Sequence, residues 1–274
     1  MGVNVKTTLA ITIYNRGTLL QHNLDRLCNL TIPDEVLIVN DGGGDNTEAI
    51  VESFKTKLPI KYIYNNNPNW TICSMARNIA LKNCIGDVFI TAEPEMIFVT
   101  DVIKQLLEYR EQYPHYLISA GTIYHAQQNA GYNAGFITDP VTALKSEIVE
   151  DYQTEPRSYH PNGYCKTVNM QATFIGCYEK SDLMAINGWD EAFTGAWGFD
   201  DIELATRLRI NGVNQKVCMD IEAIHQYHAH LPPHIQGEAM VANENYMKSK
   251  RLDLLNKGDQ GLIANQNKEW GKII

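Results

Sequence analysis

Residues 35–57 read EVLIVNDGGGDNTEAIVESFKTK, and this stretch decides the fold class. Glu35 to Asn40 is a short apolar run of the kind that forms a buried strand, and Thr47 to Lys57 is helical. Between them Asp41-Gly42-Gly43-Gly44 suits a tight strand-to-helix turn, with Asp45 or Asn46 as the helix cap. The same alternation extends in both directions. Upstream, Thr7 to Tyr14 is β-rich, and Thr18 to Leu30 carries Leu19, Leu20, Leu24, Leu27 and Leu30 at helical spacing. Downstream come a strand at Ile60 to Tyr64, a helix from Ile72 to Cys84, a strand from Asp87 to Ala92 and a helix from Val102 to Gln112. This order predicts an α/β fold, a mostly parallel central sheet with helices on both faces. Its ligand site belongs at the carboxyl ends of the strands.

The pattern dissolves from Ser119 to Thr167 into Gly, Asn, Tyr, Gln and Pro, which reads as a substrate-covering excursion. Regularity returns with a strand at Gln171 to Tyr178, a helix starting near Ser181, a helix from Asp201 to Asn211 and a strand from Lys216 to His225. A charged helix is predicted from Glu238 to Leu255. The chain has 274 residues, 23 Lys+Arg against 32 Asp+Glu and a formal net charge of -9, which argues against a non-specific nucleic-acid binder. The six cysteines form no C-x-x-C pair and read as reduced thiols. No transmembrane segment or leader pattern is found, so a soluble, cytoplasmic protein is the expectation.

A G-x-G-x-x-G turn, a P-loop, a G-x-S-x-G elbow and H-E-x-x-H are all missing, which removes dehydrogenase, P-loop kinase, serine hydrolase and zincin readings. What the strand ends offer instead is Tyr14-Asn15-Arg16, Asp41 with its glycine turn, and Glu93-Pro94-Glu95. In an extended segment Glu93 and Glu95 point the same way and suit one divalent cation; two solvated carboxylates around Pro94 are the plain alternative. Asp200-x-x-Glu203 has the form of a capping box, which leaves Asp201 unaccounted for. Trp189 and Trp197, with Gly198, precede these acids and offer either flat faces for sugar rings or core packing. At the end of the last strand, His225 is placed to complete a Glu93/Glu95 cation site, ahead of His228 and His230. An H-x-x-H-x-H zinc site lacks a matching ligand set.

In order, TIYNR (Thr12–Arg16), LIVNDGGGDNT (Leu37–Thr47), ARNIAL (Ala76–Leu81), GDVFITAEPE (Gly86–Glu95) and GWDEAFTGAWGFDDIELATRL (Gly188–Leu208) resemble the inverting glycosyltransferases of family 2 type. These are built on the GT-A, or nucleotide-diphospho-sugar transferase, fold. The second half resembles the C-terminal region of the galactosyltransferases. The resemblance implies a nucleotide-sugar-binding half at 1–118, an acceptor-binding and catalytic half of the same domain at 119–235 and a helical tail at 236–274. It further implies a UDP-sugar donor, a hexose or N-acetylhexosamine moved to a glycan or other hydroxyl-bearing acceptor, and Mn²⁺ or Mg²⁺ as cofactor. By position, Tyr14, Asn15 and Arg16 would line the nucleotide pocket, Asp41 would bind uracil, and Arg77 with Asn78 would reach the uridine or diphosphate. The family's D-x-D falls on Glu93-Pro94-Glu95, a departure that keeps oxygen ligands on longer arms. Asp201 would be the general base, Asp200 an acceptor-binding acid and His225 the last metal ligand. Trp189, Trp197 and Gly198 would bind substrate. A sugar nucleotidyltransferase, or a non-catalytic carbohydrate-binding protein on a decayed transferase fold, are the competing readings.

Overall fold

A computed structural model describes residues 5–68, 73–125, 165–168, 174–193, 198–228 and 233–274. Three apolar runs set its centre. β1 (Thr7–Ile13), β2 (Glu35–Asn40) and β4 (Val88–Ala92) are buried along their whole length, as expected of parallel strands covered on both faces. Successive residues alternate strictly between two cores. Leu9, Ile11, Ile13, Val36, Ile38, Val88 and Ile90 face one cluster, whereas Ala10, Leu37, Val39 and Phe89 face the other.

The first cluster is closed by α1 (Gly17–Leu27), α2 (Thr47–Phe54) and α4 (Val102–Gln112), which bring Leu20, Leu24, Leu27, Ile50, Phe54 and Leu106 to it. The second is closed by α3 (Ser74–Asn83), α5 (Lys180–Ala185) and α6 (Asp200–Ile210), through Ile79, Leu81, Leu183, Leu204 and Leu208. With β3 (Ile60–Tyr64), β5 (Met96–Phe98), β6 (Tyr116–His125), β8 (Ile175–Glu179) and β9 (Asn214–His225), the sheet runs β3-β2-β1-β4-β8-β6-β9-β5, and β7 (Cys165–Val168) pairs with β9. Pairing is parallel from β3 through β4 and between β6 and β9, and antiparallel at β4/β8, β6/β8, β5/β9 and β7/β9.

Most predicted elements are present, and three differences matter. The ten residues of β6 overlap the stretch read as irregular, and most of that stretch, 126–164, lies outside the described residues. β6 carries a register shift between Ala120 and Thr122, where Gly121 lies so close to β9 that a Cβ there would sit 2.6 Å from Met219 Sδ and 2.7 Å from the Cys218 carbonyl. β9 begins at Asn214, two residues ahead of the predicted strand, and lies between β6 and the short β5, with Met96 opposite His225. Finally, the last long helix, α7, spans Pro233–Ser249, and two short 3₁₀ turns at Leu252–Leu254 and Gln260–Leu262 follow.

That C-terminal segment is bound to α6 and the 186–191 stretch by buried charge. Arg207, 0% exposed, pairs with Glu203 at 2.6 Å and donates to the carbonyls of Ile186, Gly188 and Leu262. Lys250 reaches both Glu203 and Asp190. Further along, Gly271 N donates to Glu191, and Ile274 N donates to Asn65 Oδ1 at 2.7 Å. Replacing Glu203 with Ala leaves the buried Arg207 without its paired carboxylate and Lys250 with Asp190 alone, so urea unfolding of Glu203→Ala is expected to show a loss of roughly 3–5 kcal/mol.

Candidate active site

The carboxyl ends of β1, β2 and β4 meet at one edge. Asn15, in the left-handed region at φ 52°, accepts from Gly44 N at 2.8 Å, and Asn40 Oδ1 accepts from Gly43 N at 2.8 Å. Gly42, at φ 91°, passes so near the following loop that a Cβ would stand 2.2 Å from the Asn67 carbonyl. Asp45 accepts from Gly17 N at the start of α1 and from Thr47 at the start of α2, holding the two loops together. In this frame Tyr14 is half-buried, Asn15 exposed and Arg16 half-buried. Asp41 is 2% exposed, and its two oxygens accept from Asn65 Nδ2 at 2.7 Å and Asn67 Nδ2 at 3.0 Å.

Glu93 and Glu95 do not share one direction. Met96 N bonds back to the Glu93 carbonyl at 3.1 Å, so Pro94 sits in a turn and the two-residue alternation of a strand no longer applies. Glu93 points to Arg77, whereas Glu95 points to Arg16 at 2.6 Å, His225 Nε2 at 3.5 Å and His228 Nε2 at 3.4 Å. Ligand atoms of Glu95, His225 and His228 all lie within 4.8 Å of one another. The predicted Glu93/Glu95/His225 set thus becomes Glu95/His225/His228. The signal for His228 was the H-x-x-H spacing at a strand end; what the sequence lacked was the irregular chain path after His225 that brings it back. His230 lies outside the described residues.

Burial would raise Glu95, but the hydrogen bond from His228 and the charges of Arg16, His225 and His228 bring it down to about 2. Its Oε2 is buried without a hydrogen-bond partner, an oxygen free to ligate. A carboxylate oxygen and two imidazole nitrogens at this spacing fit a divalent transition ion such as Mn²⁺ better than Mg²⁺, which prefers an all-oxygen shell.

Arg77, on the first turns of α3, is 8% exposed and bridges three acids: Nη2 to Glu93, and Nη1 to Asp200 at 3.0 Å and Asp201 at 2.8 Å. In this arrangement the guanidinium is turned to the acids rather than outward to a nucleotide. Asn78 departs further from expectation. Fully buried, it donates to the Trp189 carbonyl and Glu191 and accepts from Trp189 N, so its amide is spent bracketing the 188–191 loop. Trp189 is 1% exposed, packs on Phe89 and Tyr178, and lies under the Arg77 guanidinium at 5.7 Å. It is a core residue that supports Arg77 and not a face for a sugar. Trp197 lies outside the described residues.

Asp200 is not the cap of α6. Gly198 at φ 94° and Phe199 at φ 73° form a left-handed turn, Phe199 takes the cap position, and both acids enter the helix's first turn. Glu203, the other half of the apparent capping box, faces Arg207 and Lys250. Burial and the neighbouring Asp201 push Asp200 up to about 7 against the pull of Arg77. Burial also pushes the nearby Cys73 thiol up to about 12, so it is an inert member of this wall.

The Glycosyl transferase family 2 model matches residues 8–168, more than half of the chain. The chain belongs to that family. A second model, described as the N-terminal domain of galactosyltransferase, matches residues 162–230. Relatives include a chondroitin synthase of Pasteurella multocida, 24% identical over 81% of this chain and 25% of that protein. A validoxylamine A glucosyltransferase of Streptomyces hygroscopicus is 25% identical over 80% of this chain and 52% of that protein. The chain therefore spans a quarter to about half of these relatives. Among solved structures, GalNAc-T7 with UDP, GalNAc and Mn²⁺ superposes at a TM-score of 0.64 (14% identity, 93% of this chain, 52% of that one). S. aureus TarS 1-349 with UDP-GlcNAc gives 0.63 (14%, 93% and 68%). These likenesses show that the fold is GT-A. Among the described residues no helix is long and apolar enough to cross a membrane.

Asp200's raised value gives a test. A group more easily protonated in the folded state stabilises fully below its unfolded value, near 3.9, and that contribution is lost as pH rises through about 7. Asn at this position still accepts from Arg77 but carries no charge. Thermal unfolding of Asp200→Asn should therefore match the parent near pH 4 and exceed it increasingly up to pH 8.

Proposed function

We propose that this protein transfers a hexose or N-acetylhexosamine from a UDP-sugar to an acceptor hydroxyl with inversion at the anomeric carbon, assisted by Mn²⁺. The observation that carries the reading is the placement of two distinct groups on one edge. Glu95, His225 and His228 make a metal-ligand set, and Asp200 with Asp201 stand at the N-terminus of α6, joined to the same strand end through Arg77. In the proposed single displacement the first would neutralise the leaving diphosphate and the second would take up the acceptor's proton. The acceptor oxygen attacks C1 as its proton leaves for a carboxylate, and the C1–O bond to the diphosphate breaks with its electron pair staying on the departing phosphate.

Asp201 suits the base role. Its side chain is 24% exposed against 11% for Asp200, so an acceptor hydroxyl can reach it. Asp200, more deeply buried and harder to ionise, is the acid that holds or orients the acceptor. Arg77 keeps the pair aligned on the helix terminus, where the exposed N–H groups favour negative charge. A bound Mn²⁺ would be held by Glu95, His225 and His228 and would supply charge neutralisation for the leaving diphosphate. Asp41, its oxygens held by Asn65 and Asn67 beside the half-buried Tyr14, is the group proposed to read the nucleobase. Neighbours of this fold hold UDP-GlcNAc and, in a Pyrobaculum calidifontis mannosyltransferase with a TM-score of 0.57, GDP-Man. The donor panel must therefore span both bases.

Donor hydrolysis and transfer, measured across UDP- and GDP-sugars with Mn²⁺ or EDTA and with the product anomer read by NMR, test the reading. A UDP-hexose or UDP-N-acetylhexosamine should turn over with Mn²⁺ only. Glu95→Ala should weaken Mn²⁺-supported UDP binding at least tenfold, about 1.4 kcal/mol. Asp201→Asn should retain UDP binding and lose roughly a hundredfold in turnover, the scale for removing a general base. Equal UDP affinity in Mn²⁺ and EDTA would remove the metal from the reading. Normal turnover by Asp201→Asn beside an inactive Asp200→Asn would exchange the two roles.

A further inference from the structure

Gln226 lies between the two histidines of the cluster and is 0% exposed, an unusual place for an amide. Every polar atom of its side chain is committed to α1. Nε2 donates to the Leu19 carbonyl at 3.0 Å, and Oε1, which can only accept, stands 2.6 Å from His22 Nδ1. Its backbone N donates to the Glu95 carbonyl at 3.0 Å, extending the β5/β9 ladder one step past His225. The other end of β5 is fastened to the same helix, where Arg26 donates to the carbonyls of Phe98 and Val99 at 2.8 and 2.9 Å.

An apolar side chain would fill this interior place without desolvating an amide, so the hydrogen bonds do something that packing alone does not: they fix a direction. His225 ends a strand and His228 follows in a non-repetitive segment, and only a set chain path after His225 returns the second ring to Glu95. We propose that Gln226 is a positioning residue. By tying the chain between the two histidines to Leu19 and His22 of α1, it presets both imidazoles around Glu95 before any ion arrives. This rests on the reading of Glu95, His225 and His228 as a metal centre. A site whose ligands are set in advance loses less ordering entropy on binding, and loss of the group that orients a ligand typically costs about 10- to 100-fold in metal affinity.

The test uses the whole protein and Mn²⁺ alone. Free-ion EPR gives the affinity, and pulsed EPR counts directly bound imidazole nitrogens, a quantity that a generally destabilised but correctly arranged site would not change. The parent should show two such nitrogens. Gln226→Leu should bind Mn²⁺ at least about tenfold more weakly with one nitrogen or none, and Gln226→Glu, which keeps an oxygen facing His22, should recover part of the loss. A folded Gln226→Leu that binds within about twofold of the parent with both nitrogens overturns the proposal and leaves the metal centre standing. A parent that binds no Mn²⁺ overturns the metal reading and this proposal with it. Should Gln226→Leu fail to fold, His22→Asn withdraws one contact from the half-buried surface of α1; an unchanged nitrogen count there also counts against the proposal.

Discussion

The guanidinium of Arg77 is the constraint on which the candidate site depends. Glu93, Asp200 and Asp201 converge there from a strand end and a helix start that are more than a hundred residues apart in sequence. Three carboxylates gathered in a largely buried wall repel one another strongly, because the attraction and repulsion of charges both grow as water is excluded. One buried cation with five donors offsets that repulsion and fixes direction at the same time. Burial costs Arg77 some of its charge preference, yet the surrounding acids hold it protonated well above its ordinary value. The residual imbalance falls on the acids: Glu93 is raised by burial and by its acidic neighbours, and Asp200 rises to about 7.

The support for Arg77 is equally specific. Trp189 lies beneath it, Asn78 brackets the Trp189 backbone, and Gly188 at φ 62° leaves room for Asn78, since a Cβ there would stand 2.3 Å from Asn78 Oδ1. Arg207 and Lys250, binding Glu203 and Asp190, hold α6 and the 188–191 loop against the C-terminal segment. The placement of Asp200 and Asp201 at the N-terminus of α6 thus rests in part on the ion pairs that Glu203 of the same turn makes with Arg207 and Lys250. This is the usual division between groups that touch a substrate and the packing that keeps them within tenths of an ångström.

Much of this was legible from the amino-acid order, and the failures share a cause. Strands buried on both faces write uninterrupted apolar runs, so β1, β2 and β4 were readable to within a residue. β6 was not, since YLISAGTIYH mixes polar residues and a bulge glycine with its apolar ones, and its parallel partner β9 begins roughly a hundred residues later. In the site, Asp41 and Glu95 follow strand ends and His225 closes β9, where element order put them, whereas the roles proposed for Asp41 and Asp201 come from the family resemblance. Positions governed by a local turn could not be assigned from element order. Glu93 was assigned by strand alternation where Pro94 makes a turn, and Asp200 by a capping pattern where Phe199 at φ 73° takes the cap. Asn78 and Trp189 look like ligand-facing residues until their burial is known.

The substitution of glutamates for aspartates at 93 and 95 takes its meaning from these geometries. A single turn, closed by Met96 N on the Glu93 carbonyl, sends one long arm to Arg77 and the acid pair and the other to Arg16 and the histidines. Each extra methylene lengthens the reach by about 1.5 Å, so the two carboxylates can serve different partners where shorter arms would be confined to the space between them. The two halves of the proposed chemistry then meet at one turn. The turn carries both the carboxylate that faces His225 and His228 and the carboxylate that pairs with Arg77, and Arg77 in turn pairs with Asp201. The proposed metal-ligand set and the proposed base are thus anchored by the same three consecutive residues, held at both ends by ion pairs.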